Sequence, residues 1–149
     1  LQSKYPCTLC IMAVCMNFSD VNFFAVLVAA LSSFMLGGIW YSNAFFKNAW
    51  LECTGLTELD LQTAKPALIF GGSMVLALLS AVVLSLFLGK EAGMGEGAFT
   101  GFAIGLFWVG SSLGLSYIYE QRPIKLFIIN AGYYTLQFTL MGFIIGVWP

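Results

Sequence analysis

The sequence predicts an all-α integral membrane protein, a four-helix bundle with one longer loop and two short ones. Hydrophobic residues make up 60% of the 149 residues and charged residues only 9%, whereas about 25% of a typical soluble domain is charged. The charges are also segregated, because four long stretches contain none: residues 21–46, 66–89, 97–119 and 126–149. Each exceeds the roughly 18–20 residues that cross a hydrocarbon core about 30 Å thick. A soluble protein would instead have to bury four helices that are apolar all round.

The four predicted helices form a single domain over residues 16–149. They are expected at about residues 21–40, 67–88, 99–117 and 124–148. The first loop is the longer one, while the second and third loops are short. In the first loop we expect Thr57 to cap a short helix that continues through Leu61, since a threonine hydroxyl can accept a hydrogen bond from the first helical turn.

The first fifteen residues, LQSKYPCTLCIMAVC, differ from the chain that follows them. We expect them to be a leader or a gene-calling extension, with Met16 as the true start. Cys7 and Cys10 have the C-x-x-C spacing of redox and metal sites, but this pair alone is weak evidence. Because the sequence has no histidine, and only Cys15 and Cys53 as further cysteines, we predict neither a metal site nor a cofactor.

The positive charges predict an orientation in the membrane. Four of them fall on the side of the first and third loops, and two on the opposite side: Lys47, Lys65, Arg122 and Lys125 against Lys4 and Lys90. Cytoplasmic loops of membrane proteins are enriched in lysine and arginine. We therefore expect a multi-pass protein of the bacterial inner membrane, with the first and third loops in the cytoplasm and both termini outside it.

Small residues recur every four positions on the predicted helices. The rows are Ala25, Ala29, Ser33 and Gly37; Ser73, Ala77, Ala81, Ser85 and Gly89; Gly97, Gly101 and Gly105, with Gly110 and Gly114; and Gly142 with Gly146. Such rows let helix backbones approach closely, which matters in lipid because no hydrophobic force joins helices there. They predict a tight bundle or contacts within a homo-oligomer, and the sequence leaves both open.

The expected partner is the lipid bilayer. The net charge of −1 and the absence of a basic patch argue against nucleic acid as a second partner.

Polar residues gather around the third loop and along the fourth predicted helix. Asn130, Tyr134 and Gln137 are spaced by four and three residues, so they share one helix face. Glu120 and Arg122, in the third loop, are close enough to pair. The end of the first helix is predicted on the same side of the membrane as the third loop. One hypothesis is a polar pocket that opens to the cytoplasm and contains Tyr41, Ser42, Glu120, Arg122, Asn130, Tyr134 and Gln137.

The alternative interpretation of these residues is structural. Amide side chains inside a membrane are costly unless they bond to a neighbouring helix, and Asn130 and Gln137 would then join helices together. Glu120 and Arg122 would form a surface pair. An interfacial aromatic belt would contain Trp40, Tyr41, Tyr117 and Tyr119.

Several sequence blocks, in order along the chain, resemble one known family. The blocks are Gly38-Ile-Trp-Tyr-Ser, Phe46-x-x-x-Trp50, Gly55-Leu-Thr, Glu120-x-Arg-Pro-x-x-Leu-Phe-x-Ile-Asn-Ala-Gly-Tyr133 and Met141-Gly-x-Ile-x-Gly. Together they resemble the domain of unknown function 1761 family over about residues 16–148. The resemblance implies a small four-helix membrane protein that starts at Met16, and it implies no activity. The usual Trp-Tyr-Ser-Pro of the family differs here, because Asn43 follows Ser42.

Three classes of function compete for this sequence. An enzyme is disfavoured, because a chain without histidine has no Ser-His or metal-His arrangement and every lysine lies outside the predicted helices or at their ends. A small-solute transporter or channel is the alternative, although the first helix lacks the embedded carboxylate of four-helix multidrug exporters. We therefore predict a structural, interaction or lipid-binding membrane module.

Overall fold

The structure, a computed structural model, describes residues 18–148. The predicted leader, residues 1–15, and the expected start at Met16 lie outside the described residues. Within residues 18–148 all regular structure is helical, which agrees with the predicted all-α class. This part of the chain has four helices that are long and apolar enough to cross a membrane, here numbered first to fourth: Phe23–Trp40, Ala67–Leu88, Met94–Tyr119 and Ile124–Val147.

Three shorter elements accompany the long helices. A 3₁₀ turn, Phe18–Asp20, precedes the first long helix. Two short helices, Lys47–Thr54 and Glu58–Thr63, lie in the loop between the first and second long helices. Gly55 ends the first of these short helices in the left-handed conformation, with φ of 74°, which glycine adopts without steric cost.

Capping side chains set where two of the helices begin. The Asn22 Oδ1 accepts hydrogen bonds from two N–H groups in the first turn of the first long helix. The Thr57 hydroxyl accepts from the Asp60 N–H at 3.2 Å, and the Asp60 carboxylate accepts from the Thr57 N–H at 2.8 Å. This reciprocal pair is a capping box. The predicted cap at Thr57 is confirmed, and its helix continues to Thr63, two residues beyond the expected end at Leu61.

The third long helix begins earlier than predicted. It starts at Met94 rather than at residue 99, because Glu96, which precedes the uncharged stretch, is part of the first helical turn. A carboxylate is favourable there, since the N-terminal end of a helix carries a partial positive charge. The other long helices begin and end within two residues of their predicted bounds.

The fourth long helix is the centre of the bundle, and the other three pack against it. Its contact with the third helix depends on glycine. A Cβ built on Gly97 would lie 2.9 Å from the Gly142 carbonyl carbon, and one on Gly101 would lie 2.6 Å from the Phe138 carbonyl carbon. Real Cβ atoms essentially never come within 3.0 Å of such atoms. These glycine rows are therefore used inside the chain, where they allow backbone to meet backbone.

The half of the bundle that holds the start of the first long helix is closely packed. Ala29 of the first helix and Ala77 and Ala81 of the second are buried, so these two helices approach closely. Met141 and Ile145 of the fourth helix complete this core, and Met141 is fully buried. The small-residue rows of the first and second helices thus also pack within the chain at this end.

The two ends of the bundle are polar. At one end the Asn22 Nδ2 donates to the Trp148 carbonyl at 3.3 Å, which joins the start of the first helix to the end of the fourth. Ion pairs lie at both ends, with Asp20–Lys90 at this one and Lys47–Glu58, Glu52–Lys125 and Glu120–Arg122 at the other. Among residues 18–148, no charged side chain lies in the middle of the bundle.

Candidate functional site

A chain of hydrogen bonds joins the first, third and fourth long helices near the end that carries the longer loop. The Tyr41 hydroxyl, just after the first helix, donates to the Asn130 Oδ1 at 2.8 Å, and the Asn130 Nδ2 donates to the Tyr117 hydroxyl oxygen at 2.7 Å. We name these three residues the amide bridge. Burial raises the pKa of Tyr41 above its usual range, so its hydroxyl keeps the proton that it donates.

Further contacts fix the same end of the first helix against the fourth. The Trp40 indole N–H donates to the Ile129 carbonyl at 3.1 Å, and the Tyr133 hydroxyl donates to the Ser33 carbonyl at 3.3 Å. The rings of Tyr41 and Tyr133 lie 5.3 Å apart between centroids. Bonds of this kind between helices in lipid contribute about 0.6–2 kcal/mol each, so together they hold this helix pair in a defined position.

A cleft of about 870 Å³ opens in this half of the bundle, between the second long helix and the first and fourth. Its walls are mainly apolar and aromatic. Phe34 and Phe70 lie on the first and second helices with ring centroids 6.5 Å apart, and Phe138 lies on the fourth. Ser73 and Ser80 add hydroxyl groups from the second helix. Among the described residues, no charged side chain lines the cleft.

Two of the cleft walls depart from α-helical geometry. Ile69 and Phe70 belong to a π-helical segment, Ala67–Gly71, at the start of the second helix. Val109 ends a second π-helical segment, Ile104–Val109, within the third helix. Wide turns of this type are rare in proteins and occur frequently at functional sites.

Gln137 reaches the cleft from the middle of the fourth helix with an unpaired amide oxygen. The residue is 8% exposed, and its Oε1 has no hydrogen-bond partner among residues 18–148. A buried acceptor without a partner costs about 1–3 kcal/mol. Two hydroxyls that also line the cleft are engaged elsewhere, because Tyr133 donates to the Ser33 carbonyl and Ser33 donates to the Ala29 carbonyl. The oxygen itself is enclosed by protein atoms, so it stays unpaired within the wall of the cleft.

Four of the residues predicted for a polar pocket come together in this half of the bundle. Tyr41, Tyr134 and Gln137 line the cleft, and Asn130 adjoins it through its bond to Tyr41. The first helix thus ends beside the beginning of the fourth, as the predicted topology requires. The structural interpretation accounts for Asn130, which forms hydrogen bonds between helices. It does not account for Gln137, which lines the cleft as the pocket hypothesis expects.

The other three predicted residues lie apart from the cleft. Ser42 is half-buried, and its carbonyl accepts backbone hydrogen bonds from Phe45 and Lys47. Glu120 and Arg122 are exposed and pair with each other at 3.0 Å on the surface of the third loop. The charged members of the predicted pocket therefore do not reach the cleft.

Tyr117 and the serines of the second helix were not assigned to a pocket from the sequence. Tyr117 was interpreted as part of an aromatic belt, although it lies in the last turn of the third helix and Asn130 lies in the second turn of the fourth. Residues placed in this way meet when two antiparallel helices share a short connection. Ser73 was assigned to a packing row, and the structure places it on the wall of the cleft.

The groups around the cleft can form hydrogen bonds but carry no formal charge. In the part of the chain that the structure describes, no group of three or more His, Cys, Asp or Glu residues is placed to hold a metal ion. The cleft therefore combines apolar walls with uncharged hydrogen-bonding groups.

Comparison with known protein families gives a match over most of the chain. The family model described as "Protein of unknown function (DUF1761)" matches residues 24–146, which include the amide bridge and every residue that lines the cleft. No curated protein and no solved structure matches the chain. The match covers most of the chain, and its family is the one that the sequence blocks resemble. The chain therefore belongs to the DUF1761 family of proteins of unknown function.

Proposed function

We propose that this chain is a multi-pass protein of the bacterial inner membrane that binds a lipid between its helices and has no enzymatic activity. Its outer surface supports a lipid environment, because Leu68, Phe99 and Ile118 are 73%, 72% and 75% exposed on the long helices. Exposed apolar surfaces of this extent are rare on soluble monomers. The excess of lysine and arginine at the first and third loops supports an orientation with these loops in the cytoplasm and both termini outside it.

The observation that supports lipid binding is the uncharged cleft. An apolar cavity with a few polar groups is the usual form of a ligand site, and this one combines phenylalanine walls with serine hydroxyls and the Gln137 amide. Proton-coupled transport needs an ionisable side chain inside the membrane. Glu120, the carboxylate considered for that role, is at the surface and paired with Arg122, so binding is favoured over transport.

The glycine rows do not require a second protomer for this function. Those of the third and fourth helices face each other within one chain. The proposal accordingly places the ligand site inside a single bundle, and a homo-oligomer would be an additional property of its outer surface.

The test is retention of lipid by the purified protein. The protein would be extracted in mild detergent, transferred to nanodiscs of bacterial polar lipid, and analysed by native mass spectrometry for bound lipid. Ser73→Phe fills the cleft from the second helix, whereas Val75→Phe adds the same ring to the outer surface, where Val75 is 57% exposed and does not line the cleft. We expect retained lipid in the natural protein and in Val75→Phe, and its loss in Ser73→Phe.

Two results would contradict the proposal. One is that no lipid is retained above the level of empty nanodiscs, or that Ser73→Phe retains as much as Val75→Phe. The other is a flux of small solutes through proteoliposomes that Glu120→Gln or Asn130→Leu removes, which would support the transporter instead.

A further inference from the structure

We infer that the lipid held in the cleft is an anionic phospholipid, with its phosphate paired to Lys65 outside the cleft and an acyl chain between the cleft walls. This inference rests on the proposed lipid-binding function and specifies the headgroup of the lipid. It starts from two observations: the side on which the cleft is open, and a lysine beside that opening that has no ion-pair partner among residues 18–148.

The cleft is open along the second long helix and closed towards the core. Phe70 and Leu76 of the second helix line the cleft and are 61% and 66% exposed. Ser33 and Ala77, which also line it, are buried. Because the exposed face of a membrane helix meets lipid, an acyl chain can enter the cleft from the side without leaving the bilayer.

Lys65 lies one helical turn outside this opening. The Ile69 N–H donates to the Lys65 carbonyl at 3.2 Å, and Ile69 lines the cleft. Residues four apart in a helix are neighbours on one face, so Lys65 follows the cleft wall towards the membrane surface. It is exposed and precedes the span Ala67–Leu88 by two residues. A lysine at the end of a span holds its ammonium group at the membrane interface, where lipid headgroups lie.

The other basic side chains of residues 18–148 all have acidic partners. At the end that carries the first loop the pairs are Lys47–Glu58, Arg122–Glu120 and Lys125–Glu52, and at the opposite end the pair is Lys90–Asp20. The remaining carboxylate of the first loop, Asp60, accepts hydrogen bonds from Thr57. Within the described part of the chain, Lys65 is therefore the basic group that is left to pair with an external anion.

The chemistry of the cleft separates the headgroup from the chain. No charged side chain of residues 18–148 lines the cleft, so a phosphate inside it would lack a counter-charge in a medium of low dielectric constant. With the phosphate at Lys65, only the apolar part of the lipid needs to enter. That part would lie against Phe34, Phe70 and Phe138, which line the cleft.

Hydroxyl groups on the cleft walls favour a lipid with ester carbonyls. Ser73 and Tyr134 line the cleft, and their hydroxyls form no hydrogen bond within residues 18–148. Ser73 is exposed, and the Tyr134 oxygen is not enclosed by protein atoms, so an occupant can reach both. Helical side chains point towards the start of their helix, which for both helices is the end near Lys65. Both hydroxyls can therefore donate to ester carbonyls, which lie next to the headgroup. Ser80, deeper in the cleft, can instead donate to the carbonyl four residues before it.

The net charge of the headgroup decides how well it pairs with Lys65. A zwitterionic phospholipid carries its own ammonium group, which competes with Lys65 for the phosphate. An anionic phospholipid has no such competitor. One lysine near the membrane surface gives about a fivefold preference for an anionic lipid.

The experiment measures which lipid the full-length protein retains. Nanodiscs would contain equal amounts of phosphatidylglycerol, which is anionic, and phosphatidylcholine, which is zwitterionic, with identical acyl chains. Native mass spectrometry of the released protein would count each bound lipid. We expect phosphatidylglycerol to be enriched about fivefold over phosphatidylcholine.

Three variants separate Lys65 from the general charge of the protein. Lys65→Gln should abolish the enrichment, and Lys65→Arg should keep it. Lys125→Gln is the matched control, because it removes the same charge from the same end, but from an exposed lysine that is already paired with Glu52. It should retain the enrichment of the natural protein. Both lysines are exposed, so folding should be preserved in all three variants, which detergent unfolding would check.

Several results would overturn the inference while leaving lipid binding intact. They are equal retention of the two phospholipids, an enrichment that persists in Lys65→Gln, and an enrichment that Lys125→Gln reduces as much as Lys65→Gln does. An enrichment that survives in Ser73→Phe would place the phospholipid outside the cleft, and replacement of phosphatidylglycerol by an equal amount of added palmitate would identify a fatty acid as the ligand. If the protein retains neither phospholipid, the lipid-binding proposal itself is wrong.

Discussion

Adding one methyl group at Gly101 should separate the third and fourth long helices, because no space exists for it between their backbones. The Cβ of Gly101→Ala would contact the Phe138 carbonyl oxygen and would lie 2.6 Å from the Phe138 carbonyl carbon and 3.1 Å from the Thr139 Cα. Carbon atoms pack best at about 3.5–4.0 Å. The helices must therefore move apart locally by roughly 1 Å.

The energetic consequence follows from the length of this contact. A radial gap of about 0.5–1 Å loses a quarter to a half of the van der Waals attraction of each atom pair, and Gly97 and Gly105 occupy the same row. Packing in lipid depends on these contacts. We expect Gly101→Ala to lower the free energy of unfolding by about 1–3 kcal/mol, the usual cost of overpacking.

Gly95→Ala is the matched control, because Gly95 lies in the same helix and a Cβ there meets nothing within 4 Å. It should raise the free energy of unfolding by about 0.4–1 kcal/mol, through the smaller entropy of the unfolded chain. Both variants would be unfolded by sodium dodecyl sulfate in mixed micelles, with helicity followed by circular dichroism. Equal unfolding curves for the two variants would refute the reasoning.

Two further outcomes follow from the polar contacts. Asn130→Leu leaves the hydroxyls of Tyr41 and Tyr117 unpaired, so the same unfolding assay should show a loss of about 1–2 kcal/mol; an unchanged curve would contradict the amide bridge. Hydrogen bonds from Thr57 lower the pKa of Asp60, so its cap is complete above the ordinary carboxyl pKa near 3.8 and is lost as pH falls through the lowered value. Titration of the Asp60 carboxyl carbon by NMR should show this, and Thr57→Val should move the midpoint upward.

Much of the fold could be predicted because a helix that crosses lipid needs a long stretch of sequence without charged residues. Uncharged stretches of sufficient length correspond to the long helices, and the capping residue Thr57 marks a helix start by its own chemistry. The start of the third helix was missed for an equally simple reason. A single Glu96 ended the uncharged stretch, yet one carboxylate is well tolerated in the first turn of a helix.

The candidate site could be predicted only in part. Asn130 and Gln137 share a helix face, but they are seven residues apart and so about 10 Å apart along the axis. They therefore meet different surroundings, with Asn130 among tyrosines and Gln137 on the cleft. The cleft itself depends on where the second helix separates from its neighbours, and helical periodicity contains no information on that separation.

The central position of the fourth long helix has a consequence for biosynthesis. A ribosome makes this helix after the other three, so the segments on which it packs leave the exit tunnel before their common partner exists. The glycine face of the third helix therefore has no helix packed on it until the fourth helix is inserted. During that time it can contact the insertion machinery or other membrane helices. A gene that ends before Ile124 would accordingly leave the third helix without its main packing partner, while the first and second helices could still contact each other.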